Sequence, residues 1–335
     1  MPLLSPTSTL LCSSAFTTAY LGSIYLLPST RVSLAQPPPA PSDPQDIAST
    51  VPAATPERRD RNHPSVIKAR LLAVSLASAA SCAALPAILQ HAAPTSYPSY
   101  RAALPAAVRL LGLALPSSSS SSSTRWADLA RLVAYPLSLT ASLFAGSLYI
   151  LALESELPGQ ARARSLASWT AKFGGWKGVR NYVLAPLTEE LSFRSCVVAA
   201  SFLAGWSRRK LVFVTPLWFG LAHVHHAWET YLAGGRTRKA LVQGVLQSTF
   251  QFVYTTLFGW FATFLFLRTG SVIPPFLAHV FCNAMGVPQL AWALQVWPET
   301  RFSLWASYLG GIGTFIYGFW RWTDPALFGG SVYWL

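Results

Sequence analysis

From residue 181 to the end, the sequence passes through apolar runs of helical length with short breaks between them: 181–205, 211–228, 245–267, 272–294 and 302–320. Further runs occupy 10–27, 66–89 and 132–153. A transmembrane helix needs roughly 20 mostly apolar residues, so the pattern predicts an all-α fold: a polytopic membrane helical bundle of about eight transmembrane helices. Composition agrees. Only 11% of residues are charged, where a soluble domain carries about 25%.

The net charge of +13 has to be reconciled with that solvent. Basic residues gather between apolar runs, at Arg58, Arg59, Arg61, Lys68 and Arg70, and again at Arg162, Arg164, Lys172, Lys177 and Arg180. That is the distribution of cytosolic loops in a membrane protein, and it argues for no nucleic acid partner. Arg208, Arg209 and Lys210 run against it, because the same topology puts them on the lumenal side. The four cysteines, Cys12, Cys82, Cys196 and Cys282, are far apart and lie in or beside apolar runs, so they read as small buried hydrophobes. No N-glycosylation sequon is present.

The run 10–27 has no basic residue before it and Arg31 after it. A secretory signal carries its positive charge first, so this run is expected to be an anchor with its C-terminal end in the cytosol. Residues 36–56, rich in Pro, Ala, Ser and Asp, cannot bury a core and are expected to be disordered. Residues 102–115 are too short to span and contain Arg109, which suits an interfacial helix. The serine run 117–123 reads as a flexible linker. The expected division is 1–62 for the anchor and Pro-rich loop, 63–130 for the second span, interfacial helix and Ser-rich linker, and 131–335 for a catalytic membrane helical domain. No internal repeat is visible, which counts against a transporter built from inverted halves.

Beyond residue 181 only five residues are acidic: Glu189, Glu190, Glu229, Glu299 and Asp324. Two of them are adjacent inside an apolar run. A charge at the centre of a membrane helix costs about 2.5–3.5 kcal/mol on insertion scales, so an intramembrane carboxylate pair points to function. Helical phase sorts the pair. Arg194 is at i+4 from Glu190, so those two share a face and can form an ion pair. Glu189 points about 100° away, free to face a cavity as a general base. The alternative is that both glutamates serve structure alone.

Four of the six histidines also fall here, at 223, 225, 226 and 279. His279 and Asn283, at i and i+4, share one face, and Asn inside lipid wants partners within the bundle. Glu189, His223, His279 and Asn283 together supply a base, hydrogen-bond donors and an amide, the parts that acyl-transfer hydrolysis needs to activate water and hold an oxyanion. Zinc is the rival: Glu189, His223 and His279 make two His and a carboxylate, and His225, His226 and Glu229 make a second such set. There is no HExxH, so the sequence gives zinc little support.

The ordered set Glu189-Glu190-x-x-x-Arg194, Phe219-x-x-x-His223 and His279-x-x-x-Asn283 resembles the three signatures of the CAAX protease and bacteriocin-processing superfamily. Its eukaryotic branch, the Ras-converting CAAX endopeptidases, is resembled more closely still through Arg180-Asn181, the stretch from Ala185 to Leu191, Ala222 to His226, Leu267 to Gly270 and the earlier His63 to Lys68. That resemblance implies a glutamate protease (hydrolase) of the endoplasmic reticulum membrane, with its site facing the cytosol. It would release the aaX tripeptide after a farnesylated or geranylgeranylated Cys. Prenylated CAAX proteins such as small GTPases and the membrane lipid itself would be its partners. In the family, Glu189 and His223 correspond to the groups that activate water, and His279 and Asn283 to the oxyanion hole. Glu190 and Arg194 give structural support; no cofactor and no metal is implied. The alternatives are a zinc-dependent membrane protease and a non-catalytic scaffold or transporter of the same superfamily.

Overall fold

The structure, a computed structural model, describes residues 2–31, 61–114, 122–162, 170 and 172–334. The regular elements are all helical, with no strand among the described residues. The expected disordered stretch 36–56 and residues 117–121 of the serine run lie outside the described residues.

The chain opens with α1 (Pro6–Leu26), which takes in the expected anchor run except its last residue, Leu27. Next comes α2 (Pro64–Ala92), 29 residues long. Proline at the first helical position has its φ preset and no N–H to leave unsatisfied, and the His63 ring accepts from the Ser65 N–H to cap the helix start. The short α3 (Tyr100–Leu110) packs on α2 through Ala103, Ala107 and Leu110.

The run 132–153 departs from the expected single span. It is divided between α4 (Ser122–Leu143) and α5 (Ala145–Leu153), bent by 74°. The Ser142 hydroxyl bonds the Leu139 carbonyl of its own helix, and Gly146 lies against the Tyr308 ring, which a Cβ would meet at 2.2 Å. α4 also takes in Ser122 and Ser123, so the last two serines of the expected linker are helical.

The central element is α6, a continuous helix over 176–203. It is followed by α7 (Arg208–Val214), α8 (Pro216–Leu221) and α9 (His225–Ala233). The run 211–228 is therefore not one helix; it breaks where Pro216 lacks a donor and again through 222–224. α10 (Arg238–Thr269), 32 residues long, absorbs the run 245–267 and stops at Gly270 with φ 64, the left-handed cap that glycine allows. α11 (Ile273–Met285) ends at Gly286, also at positive φ, dividing the run 272–294 between it and α12 (Leu290–Val296). α13 (Arg301–Arg321) completes the bundle.

Among the described residues, α2 and α10 are long and apolar enough to cross a membrane, and the bent pair α4–α5 is a third candidate. Their outward residues are apolar: Leu72 and Leu76 on α2, Leu246, Phe250 and Leu257 on α10, and Phe302, Leu309 and Ile316 on α13 are all exposed. A soluble monomer rarely exposes so continuous an apolar surface. α6 lies inside, packed by α1 and α2 on one side and by α8, α10 and α11 on others. Its second half forms the core with Phe193, Cys196, Val197 and Ala200, joined by Phe16, Leu85, Phe219 and Phe266.

Candidate active site

Within α6 the backbone twice widens from α to π geometry, at Arg180–Leu184 and at Glu190–Val197. Such widenings are rare and occur frequently at functional sites. The first has a local cause. The Ala185 N–H reaches back to the Arg180 carbonyl. The next donor in that register would belong to Pro186, which has none, so the Asn181 carbonyl lacks it. Asn283 on α11 supplies the missing donor, Nδ2 to O at 2.9 Å.

The second π segment begins at Glu190, which is fully buried (0% exposed) and ion-paired at 3.1 Å with Arg194, itself 1% exposed. The i, i+4 pairing expected from the sequence is present. Among the described residues, Arg194 Nη1 and Nη2 have no hydrogen-bond acceptor. The guanidinium instead lies over the Phe219 ring at 4.3 Å and the Phe258 ring at 5.4 Å, whose π faces attract a cation. Gly259 lets α10 approach closely, since a Cβ there would meet Pro216 at 2.6 Å.

Glu189 and Glu190 diverge, as helical phase requires. Glu189 is 18% exposed and lines a cavity of about 240 Å³ with Tyr20, Arg70, Arg180, His223 and His226. His223 lies in the turn after α8, and its Nδ1 is 2.7 Å from the Phe219 carbonyl. That contact fixes an Nδ1–H tautomer and leaves the Nε2 lone pair as an acceptor. Tyr20 on α1 donates to Glu189 Oε1 at 3.4 Å.

His279 bridges the two carboxylates. Its Nδ1 is 2.7 Å from Glu190 Oε1 and its Nε2 is 3.6 Å from Glu189 Oε2, the second being longer than a hydrogen bond. The sequence does not show what His279 and Asn283 meet; in the structure Glu190 takes the first and the Asn181 carbonyl the second. Asn283 is exposed and is not among the residues lining the cavity. The structure thus brings Glu189 and His223 to one cavity, sets His279 behind Glu189 outside the lining, and ties Asn283 to Asn181, which does line the cavity.

The metal alternatives separate here. Among the described residues, the three donors that converge within 4.8 Å are His225, His226 and Glu229. Glu229 is already engaged: it accepts from the Tyr25 hydroxyl at 3.0 Å, meets His226 Nδ1 at 3.1 Å and lies 3.8 Å from Arg70 Nη2. This cluster lies outside the helices long enough to span. Burial raises the Glu229 pKa, but the bonds from His226 and Tyr25 outweigh it and hold the carboxyl down to about 2. Burial and the neighbouring His226 imidazole lower His225 to about 4.

Sequence reasoning did not find Tyr20 or Tyr25, because both lie on α1 and meet their glutamates only in the folded bundle. A larger cavity of about 600 Å³ lies between α5 and α11, lined by Leu148, Leu151, Leu277, Phe281 and Ala284, and contains none of the four candidate residues.

A family model described as Type II CAAX prenyl endopeptidase Rce1-like matches residues 172–285, the stretch that holds all six residues of the candidate site. The chain is 52% identical over 111 residues to a probable CAAX prenyl protease 2 of Schizosaccharomyces pombe, covering 33% of this chain and 40% of that one. It is 39% identical over 198 residues to the CAAX prenyl protease 2 of Homo sapiens, covering 58% of each. Against the CAAX prenyl protease 2 of Caenorhabditis elegans it is 31% identical over 196 residues, covering 58% of this chain and 70% of that one. The chain therefore spans 40% and 58% of the first two of these relatives. No solved structure matches it.

Proposed function

The chain belongs to the Rce1-like family of type II CAAX prenyl endopeptidases, and on that premise we propose that it removes the C-terminal aaX tripeptide from farnesylated or geranylgeranylated CAAX proteins. The observation that carries the reading is the convergence of Glu189 and His223 on one cavity, with His279 joining Glu189 to the buried Glu190.

In this mechanism water enters the cavity and attacks the carbonyl carbon of the prenylated cysteine. The Glu189 carboxylate takes one water proton, and the His223 Nε2 lone pair accepts a hydrogen bond from the same water and orients it. The carbonyl oxygen becomes an oxyanion. His279, protonated on both ring nitrogens so that Nδ1–H serves Glu190, donates Nε2–H to it, as does the second N–H of the Asn283 amide; a primary amide carries two donors and Asn181 uses one. The C–N bond then breaks, the proton returns from Glu189 to the leaving amine, and the prenylcysteine keeps a carboxylate. Glu190 and Arg194 hold α6 and orient His279.

The bilayer setting follows from the substrate. A prenyl chain gains about 0.8 kcal/mol per buried methylene, which draws the scissile bond to membrane depth. We assign the remaining helices, α1, α6, α11 and α13 among them, to a bundle of about eight spans in the endoplasmic reticulum membrane. The cavity end that carries Arg61, Arg70 and Arg180 faces the cytosol, where anionic lipid would meet it.

The test is cleavage by the purified chain of a farnesylated CAAX peptide beside its unprenylated twin, with release of aaX followed by mass spectrometry. Tripeptide release from the farnesylated peptide alone supports the reading. No release, or equal release from both, rejects it.

A further inference from the structure

We propose that Arg70 and Arg180 form the subsite for the substrate's C-terminal carboxylate, so that the enzyme gauges the distance from the chain end to the scissile bond; this rests on the endopeptidase reading above. α2 and α6 run parallel and touch along their length. Lys68 Nζ lies over the Trp176 ring at 4.7 Å, Ser78 bonds the Thr188 carbonyl at 3.2 Å, and Cys82 and Cys196 sulfurs are 3.7 Å apart. Arg70 therefore stands level with Arg180, one on each helix. Both line the cavity that holds Glu189.

The spacing suits the product. At about 1.5 Å per residue, Arg180 precedes Glu189 by roughly 13 Å of helix. An extended tripeptide spans about 10 Å, and an arginine side chain covers the remainder. The two guanidiniums are also held in place. Arg70 Nε donates to the Thr30 carbonyl at 2.7 Å. Arg180 donates to Asn181 Oδ1 at 2.9 Å, the Arg61 carbonyl at 2.9 Å and Asn62 Oδ1 at 3.2 Å. Among the described residues Arg70 Nη2 is buried without a hydrogen-bond partner; it is ion-paired at 3.8 Å with a Glu229 oxygen that already accepts from the Tyr25 hydroxyl. It is a donor awaiting an acceptor. A carboxylate carried into a membrane cavity beside Glu189 needs a counter-charge, and the planar guanidinium is the group best shaped to give one.

The experiment compares two farnesylated peptides of one sequence, one ending in a free acid and one in an amide, on the purified full chain. Hydrogen bonds to charged groups are worth about tenfold to a hundredfold in binding. The wild type should favour the acid by that order in kcat/KM, and Arg70→Gln and Arg180→Gln should each collapse the ratio. The ratio is taken on one preparation and does not depend on how much of a variant has folded. Equal cleavage of acid and amide by the wild type would overturn the proposal, as would an undiminished preference in both variants. Cleavage of neither peptide by the wild type would reject the endopeptidase reading, and the subsite with it, a result distinct from equal cleavage.

Discussion

His279 Nδ1 lies 2.7 Å from Glu190 Oε1, a contact between side chains 89 positions apart in the sequence. It ties α11 to α6 at the depth where Glu190 also holds Arg194, so one buried carboxylate serves two partners, a guanidinium and an imidazole. Removing one member of a buried pair leaves a charge uncompensated, at a cost of about 3–5 kcal/mol. Glu190→Ala should therefore sharply lower the amount of folded protein recovered from membranes, whereas Glu189→Ala, at the cavity wall, should accumulate normally. Thermal unfolding of both variants in detergent checks the difference. Equal stability would show that Glu190 is not the structural partner.

Asn283 poses a choice between two functions for one amide. As a tie to the Asn181 carbonyl alone, its loss would cost about 0.6 kcal/mol, the average for such bonds in membranes. As an oxyanion donor, Asn283→Ala should lower kcat by about 10²–10³, roughly 2.7–4 kcal/mol, with little change in binding of a prenylated peptide. Steady-state kinetics beside a binding assay separates the two, and near-normal kcat removes Asn283 from the catalytic set.

Tyr20 contributes to the site from α1. Its hydroxyl is 3.4 Å from Glu189 Oε1 and 3.5 Å from the Thr188 hydroxyl, a long bond that places it at the weak end of the usual 0.5–1.5 kcal/mol, about. Tyr20→Phe should lower kcat/KM by less than about tenfold without changing expression. A loss as large as that of a Glu189 variant would promote Tyr20 to a direct role.

Much of this was legible in the sequence. The Glu190–Arg194 pair follows from i, i+4 spacing, the divergence of Glu189 from helical phase, and the all-helical fold from the apolar runs. What was not legible depends on contacts across the bundle. The bend at Phe144 arises where α5 meets Tyr308, which periodicity along 132–153 cannot report. The π geometry at Arg180–Leu184 had a local signal in Pro186, but only the structure shows Asn283 filling the register that the proline leaves open. Tyr20 and Tyr25 carry no motif, since hydroxyl-bearing aromatics on an apolar helix look like ordinary packing until the glutamates they meet are known.

Metal dependence divides the glutamate mechanism from its zinc rival. His223 Nδ1 is committed to the Phe219 carbonyl and His279 Nδ1 to Glu190, so a zinc ion at Glu189 would have to be held by the remaining edges of both rings. Enzyme stripped with chelator and repurified should keep its activity. Loss on stripping, with recovery on adding stoichiometric zinc, would replace Glu189 by metal-activated water.

The central claim is that Glu189 is the base. Glu189→Gln keeps the size of the side chain and one acceptor oxygen for the Tyr20 hydroxyl, and removes the charge and the capacity to take a proton. The decisive measurement is kcat of the purified Glu189→Gln chain on a farnesylated CAAX peptide, in a preparation matched to wild type for yield and thermal stability. General-base catalysis is worth about 10²–10⁴, and the account predicts a loss in that range. Turnover close to that of the wild type would contradict it.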